Sequence, residues 1–238
     1  MDAYTLDVLY AACRPVTITQ PYIPGFLAFR EVGFLLELID ELRSTAPQLL
    51  PEAILVDGNG ILHPNRFGLA CHLGVRSAIP TVGIGKSLHH VDGLCKQTMH
   101  TLARECTTRG DAVRLVGHSG AVWGALLRSA KGGALEGGAQ EGGAQGRAQG
   151  GAQGGAQGGA QGGAQGGCQA ESGADGRFRP LVVSVGHGLS LESSLALVRR
   201  LCRYRIPEPL RQADLRSREW LRIHGSHHAQ NARRYLYK

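Results

Sequence analysis

No apolar run in the sequence approaches the roughly 20 residues that a membrane-spanning helix needs. Six cysteines are scattered along the 238 residues without a Cys-x-x-Cys pair, which excludes a zinc framework and the dense disulfides of a small secreted domain. The opening residues lack the basic stretch of a signal peptide. These absences predict an intracellular protein with reduced thiols and no membrane partner.

Positive charge and glycine are what the sequence has in excess. The formal net charge of +7 and the isoelectric point near 9.3 favour a polyanionic partner such as nucleic acid, with a merely basic soluble protein as the alternative. Much of the glycine excess lies between Lys131 and Gly176, where Gly-Gly-Ala-Gln repeats in tandem. Such a stretch has almost no large apolar side chain to offset the entropy of ordering. It therefore predicts a flexible linker inserted in a surface connection.

Apolar runs of two kinds alternate along the rest of the chain. Short β-branched runs predict strands, and runs with apolar residues at helical spacing predict helices. The predicted strands are residues 6–19 (with an extended continuation), 53–56, 80–84, 113–116 and 181–185, and the predicted helices are residues 26–42, 67–75, 121–128 and 191–203. This alternation favours an α/β fold whose apolar strands are covered on both faces.

Asp57 lies where the second predicted strand meets a Gly-Asn-Gly turn. A carboxylate at that position is exposed at the edge of the sheet where open α/β sheets generally hold ligands. Phosphodiester hydrolysis needs an activated water and stabilisation of the leaving oxygen, and carboxylates supply both by holding Mg²⁺. Taken alone, however, an aspartate after a strand is more often a turn-forming residue.

A second informative run precedes Asp57, in which two prolines hold an aromatic turn that leads into a helix carrying Glu31. This Pro-Tyr-Ile-Pro-Gly-Phe-Leu-Ala-Phe-Arg-Glu run and the Val-Asp-Gly-Asn-Gly-Ile-Leu-His-Pro run around Asp57 together resemble the endonuclease V family. The resemblance extends over about residues 6–129 and again over about residues 180–220. Members of this family cut nucleic acid beside deaminated adenine, which is inosine.

The resemblance implies an α/β fold with a ribonuclease H-like mixed sheet flanked by helices. On this interpretation residues 1–130 and 177–223 are two parts of one domain, 131–176 are an insertion, and 224–238 are a basic, histidine-containing tail. The opening residues are similar to the family's third strand, so we expect the chain to lack the first two strands. The family's first catalytic aspartate lies on the first strand and has no equivalent here, and a strand edge is left unpaired.

By the same resemblance, four side chains match the family's catalytic machinery. Glu31, Asp57 and Asp214 match its second, third and fourth acidic positions, and the resemblance implies that they hold Mg²⁺, for which Mn²⁺ can substitute. Lys86 is implied to lie near the scissile phosphate, where a cation stabilises developing charge. The Gly-Lys-Ser around Lys86 is not a P-loop, because Pro80 stands where that motif needs glycine.

The resemblance also implies a substrate-binding surface. Tyr22 matches an aromatic wedge that unstacks the nucleic acid and lets the inosine base flip into a pocket. The other matched positions of this surface are Pro21, Gly58, Gly60, His63, Gly83 and Gly85. The structural alternatives are that Tyr22 is an aromatic residue buried in a turn and that each glycine is present only because a turn requires it.

The function implied by the resemblance is hydrolysis of the phosphodiester 3′ to inosine in single-stranded RNA, with deoxyinosine in DNA as a further candidate substrate. Animal members favour RNA, and the Phe-Arg-Glu-Val and Asp-Gly-Asn-Gly runs are similar to theirs. We expect a monomer located in the cytoplasm and in the nucleus or nucleolus. Because the first aspartate is absent, we expect impaired activity, and a catalytically inactive inosine- or RNA-binding module is the alternative.

A different enzyme class is suggested by Ser119, which lies in a Gly-His-Ser-Gly-Ala run between a predicted strand and a predicted helix. That context is typical of the nucleophile elbow of a serine hydrolase, although Ala121 replaces the last glycine of the motif. Asp175 and His187 are the only later acid and histidine in a suitable order. In the endonuclease V family, the position of His118 is commonly acidic.

The end of the matched region is rich in arginine. These arginines predict either a stripe that contacts phosphates or a solvated helix face. They are Arg199, Arg200, Arg203, Arg205 and Arg211. Ser190 is predicted to begin the preceding helix, because a serine followed by an acidic first turn is a common helix start.

Overall fold

The computed structural model describes residues 1–21, 23, 25–26, 28–86, 88–129 and 179–232, the last eight of them as backbone only. The Gly-Gly-Ala-Gln insertion and Tyr22 lie outside the described residues, so the predictions made for them stay predictions. Among the described residues, no helix is long and apolar enough to cross a membrane.

The described part of the fold is built from strands and helices that alternate along much of the chain. The strands are β1 (Ile54–Asp57), β2 (Thr81–Gly85), β3 (Ala112–Val116), β4 (Val122–Leu127) and β5 (Leu181–His187). The helices are α1 (Ala28–Thr45), α2 (Leu69–Ser77), α3 (Lys96–Ala103), α4 (Leu191–Leu201) and α5 (Glu208–Ala232), with a 3₁₀ turn at Pro47–Leu49.

The five strands form one mixed sheet in the order β1-β2-β5-β4-β3. β1 and β2 run parallel, as expected for strands joined by a crossover helix, whereas the other neighbouring pairs are antiparallel. β5 follows the insertion in sequence but lies in the middle of the sheet. Residues from both sides of the insertion therefore share one sheet, and the predicted mixed α/β fold is confirmed.

Each face of the sheet is covered, which explains why its strands are largely apolar. Helix α4 packs over one face, where Leu195 and Val198 lie against β2, β4 and β5. The loops after β1 and β2 cover the other face through Leu62 and Leu94, with α3 beside them. Val198 and Leu62 are fully buried, and burial of such a side chain contributes about 1.5–3 kcal/mol relative to exposure.

Helix α1 packs beside the sheet and determines where Glu31 lies. Ala28 and Val32 are buried against α2 and against Val56 of β1. Because these residues recur at the spacing of a helical turn, one side of α1 is fixed on the domain. Glu31 precedes Val32 and is close enough to Asp57 to feel its charge, so α1 brings Glu31 to the end of β1.

Two predicted elements are wrong. Residues 6–19 form no strand and are largely exposed, because a β-branched run becomes a strand only where a neighbouring strand shares its hydrogen bonds. Residues 121–128 form β4 rather than a helix. The chain turns back at residues 117–121, where the N–H of Gly117 donates to the carbonyl of Ala121 at 3.0 Å. A short apolar run does not by itself distinguish a strand from a buried helix.

The remaining predicted elements exist, with ends that differ by a few residues. Ser190 caps α4 as predicted, because its Oγ accepts the backbone N–H of Ser193 at 3.0 Å. The sequence patterns missed α3 and α5. Helix α3 is only eight residues long, which is too short for a clear helical repeat, and the described side chains of α5 are mostly exposed, so α5 has no strong amphipathic signature.

β1 lies at one edge of the sheet, and within the described chain its strand neighbour is β2 alone. Helix α5 approaches β1, so this end of the sheet lies near the C-terminal helix. The expected absence of two preceding strands stays a prediction.

Candidate active site

The turn after β1 is held tightly against the middle of the sheet. The backbone N–H of Gly60 donates to Ser184 Oγ on β5 at 2.8 Å. A Cβ atom on Gly60 would collide with the carbonyl group of Val185, and a Cβ atom on Gly83 would collide with the backbone of Gly60. Close backbone packing therefore requires glycine at both positions, whatever else they do.

The other two glycines predicted to approach the base lie at the ends of β1 and β2. The N–H of Gly58 donates to the carbonyl of Ile84 at 3.1 Å, which closes the turn onto β2. Gly85 is the buried last residue of β2 and pairs with Val182. Contact of any of these glycines with a base stays a prediction.

Two of the predicted catalytic side chains meet at the carboxyl ends of β1 and β2. Because these strands are parallel neighbours, their ends lie together, and the ammonium of Lys86 binds Asp57 Oδ2 at 2.8 Å. The side chains are 55% and 57% exposed. An ion pair this exposed contributes only about 0–1 kcal/mol to the free energy of unfolding. Fold stability alone therefore does not explain why Asp57 and Lys86 are paired at the sheet edge.

Glu31 reaches the same place from α1. Burial raises the pKa of its carboxyl group, the charge of Arg30 opposes the rise, and the negative charge of Asp57 adds to it. The carboxylates of Glu31 and Asp57 are therefore near neighbours. We call the group of Glu31, Asp57 and Lys86 the acidic corner.

Asp214 is not brought into the acidic corner. It lies on α5, where its exposed carboxylate accepts a hydrogen bond from Arg218 Nε at 3.1 Å. In the part of the chain that the structure describes, no three Asp, Glu, His or Cys side chains lie close enough to hold a metal ion. A role for Asp214 as a metal ligand stays a prediction from the resemblance.

His63 is buried in the loop that follows the acidic corner and is only 8% exposed. Its Nδ1 accepts the backbone N–H of Asn65 at 3.2 Å, and its ring meets that of His89 edge-on at 5.8 Å. Burial lowers the pKa of His63, and the charge of His89 lowers it further. At neutral pH the imidazole is therefore uncharged, with its proton on Nε2 as a hydrogen-bond donor.

Gly25, which follows the proline turn predicted to enter the nucleic acid, lies next to His63. Pro21 is exposed. Gly25 has a left-handed backbone with φ of +81°, and a Cβ atom there would lie 4.0 Å from Cε1 of His63. Because Tyr22 is outside the described residues, its role as a wedge stays a prediction.

Ser119 does not lie in a nucleophile elbow. It lies in the turn between β3 and β4, and a strand rather than a helix follows it. Its hydroxyl donates to Asp92 Oδ2 at 2.5 Å instead of to a histidine base. The serine hydrolase hypothesis is therefore wrong, because that chemistry depends on a sharp strand-to-helix turn that presents the serine to a base.

Three of the five arginines at the end of the matched region donate hydrogen bonds within the protein. Arg199 Nε and Arg205 Nε donate to backbone carbonyl groups at 2.7 and 2.8 Å. Arg211 binds the buried carboxylate of Glu208 through two nitrogen atoms, at 2.9 and 3.0 Å. These contacts favour a structural role for the three arginines, and the phosphate-contacting stripe stays a prediction.

Sequence reasoning missed several polar side chains in the loops around the acidic corner. His89 contacts the buried histidine, Asp92 accepts three hydrogen bonds, and Arg66 lies over the ring of Trp123. Asn59 Oδ1 is buried, and no described residue donates a hydrogen bond to it. Only Asn59 carried a local signal, as the centre of the Gly-Asn-Gly turn. The others meet through tertiary structure.

Comparison with known proteins identifies the family. The endonuclease V family profile matches residues 1–134 and 162–215. The chain belongs to the endonuclease V family. Human endonuclease V is 43% identical over 218 residues, which make up 91% of this chain and 62% of the human protein. The mouse protein is 40% identical over 91% of this chain, which spans only 52% of the mouse protein's length.

Solved structures of endonuclease V share the fold. The crystal structure of the human protein has a TM-score of 0.72 and 42% identity, over 92% of this chain and 74% of that one. The Ciona intestinalis protein was solved with a 23mer DNA that contains an inosine followed by a ribo-adenosine. It has a TM-score of 0.64 and 27% identity, over 87% and 70% of the two chains. The family expected from the sequence motifs is confirmed.

Proposed function

We propose that this endonuclease V-family chain hydrolyses the phosphodiester bond 3′ to inosine in single-stranded nucleic acid, with RNA as the preferred substrate. The observation that supports this most strongly is the acidic corner. Two neighbouring carboxylates and an ammonium lie at the carboxyl ends of two parallel strands, where open α/β sheets hold ligands. The net charge of +7 suits a polyanionic substrate.

The donor set of the acidic corner fits a divalent cation. Mg²⁺ is commonly held by one or two carboxylates together with water and the oxygens of substrate phosphates. Burial and the charge of Asp57 both disfavour the ionised form of Glu31, and a cation beside the two carboxylates would relieve that cost. Glu31 and Asp57 would therefore hold Mg²⁺ or Mn²⁺, and Asp214 is a further candidate ligand.

The chemistry would divide between the cation and the side chains of the acidic corner. A bound cation would lower the pKa of a water molecule and stabilise charge on the phosphate. Asp57 would orient the attacking water, whose oxygen forms the new bond to phosphorus. Lys86 would stabilise the negative charge that develops as the bond from phosphorus to O3′ breaks. O3′ takes up a proton, so the products carry a 5′-phosphate and a 3′-hydroxyl.

Recognition of inosine would use the buried donor of His63. Inosine presents a carbonyl oxygen where adenosine presents an amino group. A neutral imidazole that donates from Nε2 would bind the carbonyl oxygen, whereas an amino group would leave that buried donor unpaired. The proline turn beside His63 would supply Tyr22 to unstack the strand.

The preference for RNA rests on similarity to animal relatives. Human and mouse endonuclease V are among the proteins that this chain resembles, at 43% and 40% identity. The Ciona intestinalis protein was solved with a ribonucleotide directly after the inosine. A 2′-hydroxyl is what distinguishes RNA from DNA at one nucleotide, so selectivity would depend on the nucleotide that follows inosine.

A non-catalytic inosine- or RNA-binding module is the second candidate. Among the described residues only Glu31 and Asp57 gather as carboxylates at the acidic corner, and β1 forms an edge of the sheet. Two-metal catalysis needs ligands that hold both ions in place. A chain that keeps the base pocket without this catalytic geometry would bind inosine strands and leave them uncut.

The test is cleavage of a single-stranded RNA that contains one inosine, beside the matched adenosine RNA and a deoxyinosine DNA. The proposal predicts a cut on the 3′ side of inosine that is faster in RNA than in DNA and is lost in EDTA. Asp57→Asn is expected to slow cleavage about 100-fold or more. Glu52→Gln removes an exposed carboxylate elsewhere and is the matched control.

Two results would contradict the proposed function in different ways. Equal cleavage of inosine and adenosine strands would refute inosine specificity. Retention of the inosine strand without cleavage, in protein shown to be folded, would favour the binding module.

A further inference from the structure

Trp123 is placed by an irregularity in β4. Leu115 pairs with Gly124 and Val116 pairs with Val122, so Trp123 is an extra residue in the strand and forms a β-bulge. A bulge redirects a side chain relative to the regular alternation of a strand. The indole packs on the sheet face that also holds Leu62 and Leu115, and Trp123 is only 7% exposed.

Asp92 fixes the orientation of that indole. Its Oδ2 accepts hydrogen bonds from Trp123 Nε1 at 2.8 Å and from Ser119 Oγ at 2.5 Å, and its Oδ1 accepts the N–H of Ser119 at 3.0 Å. The hydrogen bond from Ser119 and then that from Trp123 lower the pKa of the Asp92 carboxyl group. Asp92 makes these contacts from a left-handed backbone with φ of +49°, which a non-glycine residue adopts only where its surroundings stabilise it.

Arg66 lies over the fixed ring. Its guanidinium carbon is 4.6 Å from the centre of the Trp123 ring, and its backbone is also left-handed, with φ of +52°. Arg66 is exposed, and no described carboxylate lies within ion-pair distance of it. Asp92 is occupied by its three donors, and among the described residues the exposed His118 acts on Asp92 by its charge. We call Arg66, Trp123 and Asp92 the arginine platform.

Two loops join the arginine platform to the acidic corner along the chain. The loop that starts at Asp57 passes through His63 to Arg66, whose N–H donates to the carbonyl of His63 at 2.7 Å. The loop that starts at Lys86 leads to Asp92. Both loops therefore begin at the acidic corner and carry a residue of the arginine platform.

We propose that Arg66 binds a backbone phosphate of the nucleic acid strand, separate from the phosphate that is cleaved, and that Trp123 and Asp92 are positioning residues for it. This rests on the proposed function, because it assumes a nucleic acid strand at the acidic corner. Arg66 is exposed although its guanidinium lies over the indole, and guanidinium N–H groups suit the oxygens of a phosphate. Stacking also holds the side chain in place before binding.

The experiment measures binding of single-stranded inosine RNA and of the matched adenosine RNA, in EDTA, between about 50 and 200 mM salt. EDTA separates binding from cleavage. Arg66→Ala is expected to weaken binding about fivefold for both strands and to reduce the slope of log affinity against log salt by about 0.7. Arg66→Lys keeps the charge and is expected to restore the salt slope. The matched control is Arg76→Ala, another exposed arginine, with less than about a twofold effect.

Asp92→Asn tests whether Asp92 positions Arg66, because the two explanations predict opposite changes in nucleic acid affinity. Asp92→Asn removes a negative charge, which on charge alone would strengthen binding of a polyanion. The proposal predicts weaker binding instead, and no further weakening in an Arg66→Ala background. Trp123→Phe keeps a ring but removes the bond to Asp92, and it replaces Asp92→Asn if that variant is shown by circular dichroism to be unfolded.

The outcomes separate this inference from the function on which it rests. If the unaltered chain binds neither strand, both are overturned. If it binds and Arg66→Ala behaves like Arg76→Ala, only the inference is overturned. Stronger binding by Asp92→Asn would overturn the positioning role of Asp92.

Discussion

The acidic corner and the arginine platform are built in opposite ways, although the same two loops connect them. At the acidic corner, Asp57 and Lys86 are more than half exposed and are joined by a single ion pair. At the arginine platform, Asp92 accepts three hydrogen bonds and Trp123 is almost fully buried. One region has exposed charges with few partners, and the other is a packed network.

This difference indicates that the acidic corner, rather than the arginine platform, lacks a compensating partner for its charges. An exposed ion pair adds little to stability, and the raised pKa of Glu31 shows that its ionised form is disfavoured in the folded protein. Under the proposed function, a cation bound beside the two carboxylates would therefore stabilise the acidic corner. At the arginine platform, by contrast, Asp92 and Trp123 already satisfy each other's hydrogen bonds, so the ring on which Arg66 lies is organised without a ligand.

The largest expected difference between the two regions is in stability. Trp123→Ala is expected to lower the free energy of unfolding by about 3–5 kcal/mol, because it leaves a cavity among buried side chains and removes a donor from Asp92. Asp57→Asn is expected to change it by less than about 1 kcal/mol, since only an exposed ion pair is lost. Urea unfolding in EDTA measures both. Equal losses of unfolding free energy in the two variants would contradict the contrast between a packed arginine platform and an exposed acidic corner.

A smaller effect concerns pH. The folded protein raises the pKa of Glu31, so ionisation of Glu31 destabilises the folded state. That cost is absent below the ordinary glutamate pKa of about 4.3 and is fully present once the pH exceeds the raised value. Glu31→Gln is therefore expected to raise the free energy of unfolding at neutral pH by less than about 1 kcal/mol.

The pH dependence of that gain is the informative readout for Glu31. In metal-free buffer, urea unfolding over a series of pH values should show the gain from Glu31→Gln disappearing as the medium becomes acidic. Glu52→Gln, at an exposed position outside the acidic corner, should show no such trend. A gain from Glu31→Gln that is independent of pH would mean that packing rather than charge is responsible.

The sequence predicted the acidic corner better than the arginine platform, for a physical reason. Asp57 follows an apolar strand and precedes a glycine turn, and Glu31 follows a proline turn into a helix, so each carries a local signal and a family motif. Asp92, Trp123 and Arg66 come from separate loops and from a β-bulge, and they meet only in the folded chain. Nothing in the local sequence of any one of them indicates the other two.

The same distinction explains the errors in the fold. β1, β2 and β5 were predicted because each is a buried apolar run that is bounded by turn residues. Residues 121–128 were predicted as the helix that follows a strand in an alternating pattern, whereas the hairpin with β3 depends on pairing between strands. Residues 6–19 have the composition of a strand, but in the structure no strand pairs with them.

Divalent cation binding tests the central claim most directly, because the account depends on Glu31 and Asp57 forming the metal site. The measurement is Mn²⁺ binding by electron paramagnetic resonance, in the unaltered chain and in Glu31→Gln, Asp57→Asn and Glu52→Gln. The account predicts that the first two variants bind Mn²⁺ at least about tenfold more weakly, while Glu52→Gln binds like the unaltered chain. Unchanged binding in both Glu31→Gln and Asp57→Asn would contradict it.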